Sequence, residues 1–231
     1  MIRLEDGELA AFAMHDGDIA IPMEIYIPAE GTEAEITVYP QFASLARRLE
    51  KAYRGRLLTE EAVSFLLDAL RASMEAGGFA PSPDIRRTIR EFSLADAASL
   101  RTDVILPDTR LIRDGEAPPP LPAALTQPTA AEDAPFAIQI ADGRIVACAA
   151  LNDFMAEETG VEIHVECAPG WRGRGFAASC AARLAKHLIS AGETVLYRVW
   201  EQNLASLRVA EKVGFRETGC RHSFVYYRRN P

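Results

Sequence analysis

The stretch VEIHVECAPGWRGRGFAASCAARLAKHLI, from Val161 to Ile189, decides the fold. It opens with Val161, Ile163 and Val165 alternating with Glu162, His164 and Glu166. A period of two, with β-branched residues on one side, predicts a half-buried strand. A short basic turn follows, Arg172-Gly173-Arg174-Gly175. Beyond it Ala177, Ala181, Leu184 and Leu188 recur at helical spacing, and Gly192 ends the pattern. The local order is therefore strand, tight turn, helix. The first turn of a helix leaves N–H groups without intrahelical acceptors and carries the positive end of the dipole. Glycines let the backbone close around an anion there, and two arginines add positive charge. The unit suits a phosphate-bearing ligand.

On the C-terminal side, Thr194 to Trp200 reads as a strand and Ser206 to Val213 as a short helix. Gly214 stands where a left-handed C-cap belongs, with Phe215 packing back on Ala210. Ser223 to Tyr227 predicts a last strand. On the N-terminal side, Phe136–Ile140 and Arg144–Leu151 flank Asp142-Gly143, a hairpin signal. The proline-rich segment Asp114 to Pro135 excludes a regular helix. Ser93 and Asp96 resemble a capping box opening a helix through Ala97, Ala98 and Leu100, preceded by a short strand, Thr88 to Phe92. Pro81-Ser82-Pro83 reads as a linker or sharp turn.

The first eighty residues have their own pattern. Ile19 to Ile27 alternate, with Pro22 pushing the strand toward an edge or bulge, and Ala34, Ile36 and Val38 alternate again. Leu45, Leu49, Ala52 and Tyr53 mark an amphipathic helix ending near Gly55. Thr59 is an N-cap candidate for a second helix, with Glu60 and Glu61 in its first turn. Val63, Leu66, Leu67, Leu70 and Met74 line one face, and Gly77-Gly78 closes it. The expected division is an α/β N-terminal extension over 1–86 and a second domain over 87–231.

A chain of 231 residues, 48% hydrophobic and 25% charged, has the composition of a globular protein with one large or two small domains. No run of about 18 apolar residues predicts a membrane span. The opening MIRLEDGELAAF lacks the basic and apolar regions of a leader, so a cytoplasmic location is expected. Cys148, Cys167, Cys180 and Cys220 lie far apart, with no C-x-x-C pair, so free thiols are expected rather than a metal site or a disulfide framework. The net charge is −8, split into −13 before Val161 and +5 from there on. An acidic whole argues against nucleic acid as a partner, while the basic end suits a small polyanion.

Arg172 to Ala177 fits the pattern Arg/Gln-x-x-Gly-x-Gly/Ala. A second segment follows at the expected distance, Asn203-x-x-Ser206 and then Val209-Ala210-Glu211-Lys212-Val213-Gly214-Phe215. The two together resemble the acyl-CoA pyrophosphate loop and the Asn-x-x-Ala/Ser…Glu-Lys-Leu-Gly-Phe segment of the GNAT acyltransferase superfamily. The resemblance implies an α/β fold, a mixed twisted sheet with helices on both faces. It implies transfer of an acetyl (acyl) group from acetyl-CoA to an amine of a small molecule or protein by direct attack. It places the cofactor on the strand backbone at Val165 and Cys167 and on the turn formed by Arg172, Gly173, Arg174, Gly175, Phe176 and Ala177. Asn203 and Ser206 complete that set.

Backbone N–H groups of the Val161 strand would polarise the thioester carbonyl. Glu162 is the first candidate base, because the family's bases often sit early on this strand. His164 and Glu166 share its face and are the alternates, and two neighbouring carboxylates would raise each other's affinity for a proton. The family often carries a tyrosine acid where this chain has Ala210; Tyr197, Tyr226 or Tyr227 could substitute. The proline-rich segment also departs from the family, which builds its acceptor lip there. Two alternatives stand beside the enzyme: an acyl-CoA-binding sensor or scaffold without catalysis, and a same-fold enzyme using another acyl donor. The N-terminal extension is expected to pack on the acyltransferase core or on a second subunit, which leaves a homodimer open.

Overall fold

A computed structural model describes residues 1–4, 19–31, 33–120, 125, 134–152 and 160–228. The chain forms two compact units, Met1–Ile89 with Gly219–Pro231, and Arg90–Thr218. It is a mixed α/β protein, and its described residues hold strands in both parallel and antiparallel pairs and four α-helices. The expected boundary at 86/87 falls inside a long strand, β5, Phe79–Leu94. The last strand, β11, Arg216–Arg228, was expected in the second domain, yet from Gly219 onward it groups with the N-terminal unit. The cause is pairing: Gly219 to Ser223 run antiparallel to Pro28 through Glu24 of β3, Met23–Pro28.

The rest of the N-terminal unit follows its sequence pattern. Strand β2, Ile19–Ala20, stops before Pro22, and β3 begins after it. β3 pairs antiparallel with β4, Glu35–Val38, and β1, Ile2–Leu4, adds a parallel edge the alternation did not reveal. Helix α1, Ala43–Tyr53, precedes α2, Glu60–Ala76. Thr59 caps α2, its hydroxyl accepting from the Ala62 N–H at 3.4 Å. Leu49, Leu66, Leu70 and Met74 of the helices bury against Ile25, Ile36 and Phe224 of the strands. β5 runs through Pro81 and Pro83, which sit near its start, where proline's missing donor costs least. The expected turn there is thus strand.

In the second unit β6 (Thr109–Ile112), β7 (Phe136–Ala141), β8 (Arg144–Leu151) and β9 (Val161–Cys167) pair antiparallel in succession. The β7–β8 hairpin turns on Asp142 (φ 47°) and Gly143 (φ 67°), both left-handed as a type I′ turn requires. The helix expected after Ser93 does not form. Asp96 instead closes a local turn on the Ala98 N–H at 2.8 Å. The segment is then anchored elsewhere, Arg101 N–H to the Val213 carbonyl and Leu106 N–H to Ser179 Oγ. Helices α3, Phe176–Ser190, and α4, Leu204–Val213, share one apolar cluster. Ile163, Ala147 and Ala149 of the sheet and Tyr197 of β10, Val195–Trp200, belong to the same cluster.

The pairing of β9 with β10 positions everything that follows. The two run parallel but are in register only at Val195↔Val161 and Leu196↔Glu162. β9 continues to Cys167 and β10 to Trp200 without further pairing between them, so the strands fork. Strand geometry fixes what faces the gap. Asn152 N–H donates to the Glu162 carbonyl at 2.8 Å and Ala168 N–H to the Val146 carbonyl at 2.9 Å, both toward β8. Val161 N–H donates to the Thr194 carbonyl at 2.8 Å, toward β10. Backbone groups alternate along a strand, so Val165 and Cys167 aim theirs into the fork.

Candidate acyl-donor site

The turn at the head of α3 folds as its residues dictate. Pro169 to Trp171 make a single 3-10 turn, and Arg172 returns to extended backbone. Gly173 (φ 80°) and Gly175 (φ 84°) are both left-handed, a conformation that costs a residue with a side chain roughly 1–2 kcal/mol. A Cβ at either would meet no atom within 4 Å. The glycines are thus needed for backbone angle, and the space beside them is open to a ligand. Gly175 is the N-cap of α3, no side chain caps the helix, and no acidic residue sits in the first turn. Ser179 N–H reaches the Gly175 carbonyl at 2.9 Å; the N–H groups of Phe176, Ala177 and Ala178 precede the first such bond. Arg172 Nε donates to the Cys167 carbonyl at 3.2 Å and ties the turn to the end of β9. Arg174 lies over the Trp171 ring, its guanidinium carbon 4.7 Å from the centroid.

A cavity of about 480 Å³ joins this turn to the fork. Its walls include Val165, Glu166 and Cys167 of β9, the turn residues Arg172, Gly173, Gly175, Phe176 and Ala177, and Asn203 and Ser206 of the α4 start. The sequence-derived set therefore converges on one concavity, with three exceptions. Arg174 stacks on Trp171 and is not among the lining residues. Glu162 and His164 are not among them either. Ala178, Ala205, Arg208, Val209 and Lys212 also line the cavity. The α4 members were legible in principle, since the spacing from Asn203 through Ser206 to Val209 places them on one helical stripe. A second cavity, about 640 Å³ and larger, lies in the N-terminal unit among Ile27, Ile36, Leu57 and Arg54.

Glu162 belongs to a charged network. Its side chain is 6% exposed and is held by cationic and neutral donors instead of facing a second carboxylate. Arg198 Nη1 donates to Glu162 Oε2 at 2.6 Å and Asn152 Nδ2 to Oε1 at 3.0 Å. Arg198 also meets Glu91 of β5 at 3.6 Å. The network sits at the apex of the fork, because Glu162 is the last β9 residue in register with β10. His164 stands opposite Ala150 of β8, and Glu166 opposite Cys148.

Burial pushes the Tyr197 hydroxyl up to about 12, opposed by a hydrogen bond with the Ser206 side chain. Tyr197 packs on Phe215, ring centroids 5.5 Å apart. Ser206 does not cap α4; Asn203 does, its Oδ1 accepting from the Ser206 N–H at 3.2 Å. Ser206 also lines the cavity. Cys167 lines the cavity as a thiol: burial pushes it up, Arg172 opposes and Glu166 adds to the rise. Burial pushes Cys148 up to about 12, with Glu166 adding to the rise. Among the described residues no cluster of His, Cys, Asp and Glu could hold a metal ion, and no helix is long and apolar enough to cross a membrane.

The fork, the glycine turn and the α4 stripe together define an acyltransferase domain. The model of the acetyltransferase (GNAT) domain family matches residues 86–216, more than half of the chain. The chain belongs to the GNAT acetyltransferase family. It is similar to a GNAT-family protein from Novosphingobium aromaticivorans, 21% identical over 66% of this chain and 69% of that one, with a TM-score of 0.49. It is also similar to a GCN5-related N-acetyltransferase-like protein from Streptococcus suis, 17% identical over 91% and 88%, TM-score 0.46. A GCN5-related N-acetyltransferase from Sphaerobacter thermophilus is 13% identical over 92% and 81%, TM-score 0.46. A search of curated proteins found no match.

Proposed function

We propose that this protein transfers an acyl group, acetyl in the first instance, from an acyl-CoA thioester to a primary amine by direct attack. One observation carries the reading: a single cavity joins the open edge of β9 to the anion-binding turn at the head of α3. Bound acyl-CoA would supply an activated carbonyl; the amine nitrogen forms the new C–N bond, the C–S bond breaks, and the ammonium proton lost balances the one the sulfur gains. The residues present fit that group. Gly173, Gly175 and the N–H groups of Phe176 to Ala178 would take the pyrophosphate. Val165 and Cys167 aim backbone groups into the fork, where an amide dipole can polarise a carbonyl without further reorganisation.

Glu166 is the carboxylate that lines the cavity, so it replaces Glu162 as first candidate to accept the ammonium proton, directly or through water. Glu162, bound to Arg198 and Asn152, holds the fork apex. Ser206 takes the place left by Ala210. Ser206 lines the cavity and is the hydroxyl that could hand a proton to the departing sulfur, while Tyr197, pushed up to about 12 by burial, stays protonated at neutral pH.

The test is thiol release from acetyl-CoA against a panel of amines, with calorimetric CoA binding measured in parallel. Turnover with at least one amine, and loss of both turnover and binding in Gly175→Asp, supports the reading. Tight CoA binding with no thiol release for any amine would favour a sensor or scaffold. Absence of CoA binding would point to another acyl donor.

A further inference from the structure

The larger cavity, about 640 Å³, lies in the N-terminal unit, and none of its described lining residues is shared with the donor cavity. Its walls come chiefly from the facing ends of β3 and β4 and from the stretch between the end of α1 and the start of α2. Met23, Ile25 and Ile27 share one face of β3. Met23 and Ile25 are in the core with the helices, 1% and 0% exposed, while Ile27 is 38% exposed. The apolar face thus runs on past the part that the core covers, and Ile27, Pro28, Ile36, Leu57 and Leu58 line the cavity. Apolar side chains left in water favour an apolar occupant. The charged lining residues divide by segment. Glu33 stands on the strand side, Arg54 and Arg56 on the helix side, with Glu50 one turn before Arg54. Arg54 meets Glu50 at 3.9 Å and Arg56 meets Glu61 at 3.6 Å, both longer than a hydrogen bond, and the two arginine side chains are 77% and 56% exposed. Arg56 also lies over the Tyr53 ring, 5.2 Å from the centroid, which holds its guanidinium by the face and leaves the edge N–H groups to a ligand. Glu33 has no ion pair among the described residues.

We propose that this cavity binds a small zwitterion with an apolar body, of the kind a short apolar peptide presents. Arg54 and Arg56 take its carboxylate, since the planar guanidinium fork matches two carboxylate oxygens. Glu33 faces its ammonium, and the apolar body covers Ile27, Ile36 and Leu57. A ligand of one sign leaves one wall unmatched, and an uncharged ligand leaves both. The volume falls within the range of small-molecule sites. The site stands apart from the acyl-donor reading, and its failure leaves that reading in place.

Calorimetry on the full chain tests it, with leucyl-leucine, its N-acetylated form and its C-terminal amide as probes. The parent is expected to bind leucyl-leucine in the submillimolar range. Each blocked form should bind about tenfold more weakly, the scale of one charge-assisted contact at a partly exposed site. Arg54→Ala/Arg56→Ala is expected to bind the free dipeptide and its amide alike while still preferring the free amine over the acetylated form. Glu33→Gln is expected to do the reverse, because variant and blocking group then remove the same contact. All three positions are exposed, so the variants keep the parent's fold, which unchanged melting temperatures check. The preferences should shrink as salt rises. No saturable binding of leucyl-leucine by the parent, equal binding of the free and either blocked form, or parental preferences that persist in the matching variant overturns the site.

Discussion

Replacing Glu162 by Gln separates two roles that the sequence alone could not distinguish. The change keeps shape and removes charge. In the structure it turns an Arg198–Glu162 ion pair at 2.6 Å into a neutral contact and weakens the bond from Asn152. All three charged side chains of the network are largely buried: Glu162 is 6%, Arg198 10% and Glu91 12% exposed. Removing one partner of a buried pair costs roughly 3–5 kcal/mol when the other charge is left alone. Here Arg198 keeps Glu91, and a glutamine oxygen can still accept one bond, so the loss is nearer the value of one charged hydrogen bond, about 2 kcal/mol.

For a chain of this length that is a fall in Tm of roughly 4–8 °C. The assay pairs thermal melting with steady-state thiol release at saturating donor. The expected result is a lower Tm with kcat/KM within about tenfold of the parent, and a pH profile of unchanged shape. A general base would behave oppositely, losing about a hundredfold in kcat/KM near neutral pH with little change in melting. That second outcome would refute the structural role and return Glu162 to the chemistry.

Two further expectations concern stability. Gly214→Ala should cost at least about 3 kcal/mol, since φ is 96° and a Cβ there would lie 2.1 Å from the Ser99 carbonyl oxygen; Gly192→Ala, at φ 91° with nothing within 4 Å, should cost about 1 kcal/mol. Equal urea midpoints for the two variants would show that the Ser99 approach is not rigid. In alkali, Cys148 is held protonated when folded, up to about 12, against an ordinary value of 9.0. The unfolded chain binds fewer protons above pH 9, so stability is intact below that and falls as pH rises toward 12, at a slope of about 1.4 kcal/mol per pH unit for one such group. Urea titrations between pH 8.5 and 10.5 should show a shallower fall for Cys148→Ala than for the parent; parallel curves would refute the assignment.

What was legible in the sequence was local. Gly175 needs a left-handed φ, and the helix it caps begins at the next residue, so motif and structure occupy the same few positions. The Asp142-Gly143 hairpin and the Thr59 cap are likewise decided within four residues. What was missed depends on distant partners. Ser93 and Asp96 carry the letters of a capping box, but β5 has already run on to Leu94, and Arg101 and Leu106 are bonded to α4 and α3. Pro81 and Pro83 look like punctuation only until the strand that contains them is seen. Glu162 was read beside Glu166 because alternation places them on one face. Its actual partner, Arg198, is 36 residues away on a neighbouring strand. A two-residue register between β9 and β10 cannot be read from either strand alone.

The fork explains why the side chains of β9 were poor guides to the chemistry. In the proposed site the donor is gripped by backbone: N–H groups of the α3 turn at one end and of Val165 and Cys167 at the other. Backbone groups are present whatever the side chain, so the sequence is free to use β9 side chains for other ends. Ile163 goes to the core on the helix side. Glu162 goes to the apex, where a buried charge pair braces the point at which β9 and β10 separate. In the proposed site side-chain identity then matters most where a proton would move, at Glu166 and Ser206. On this view substitutions at Val165 that keep its size should leave donor binding nearly intact, while Gly175→Asp, which puts a like charge and a side chain into the turn, should abolish it.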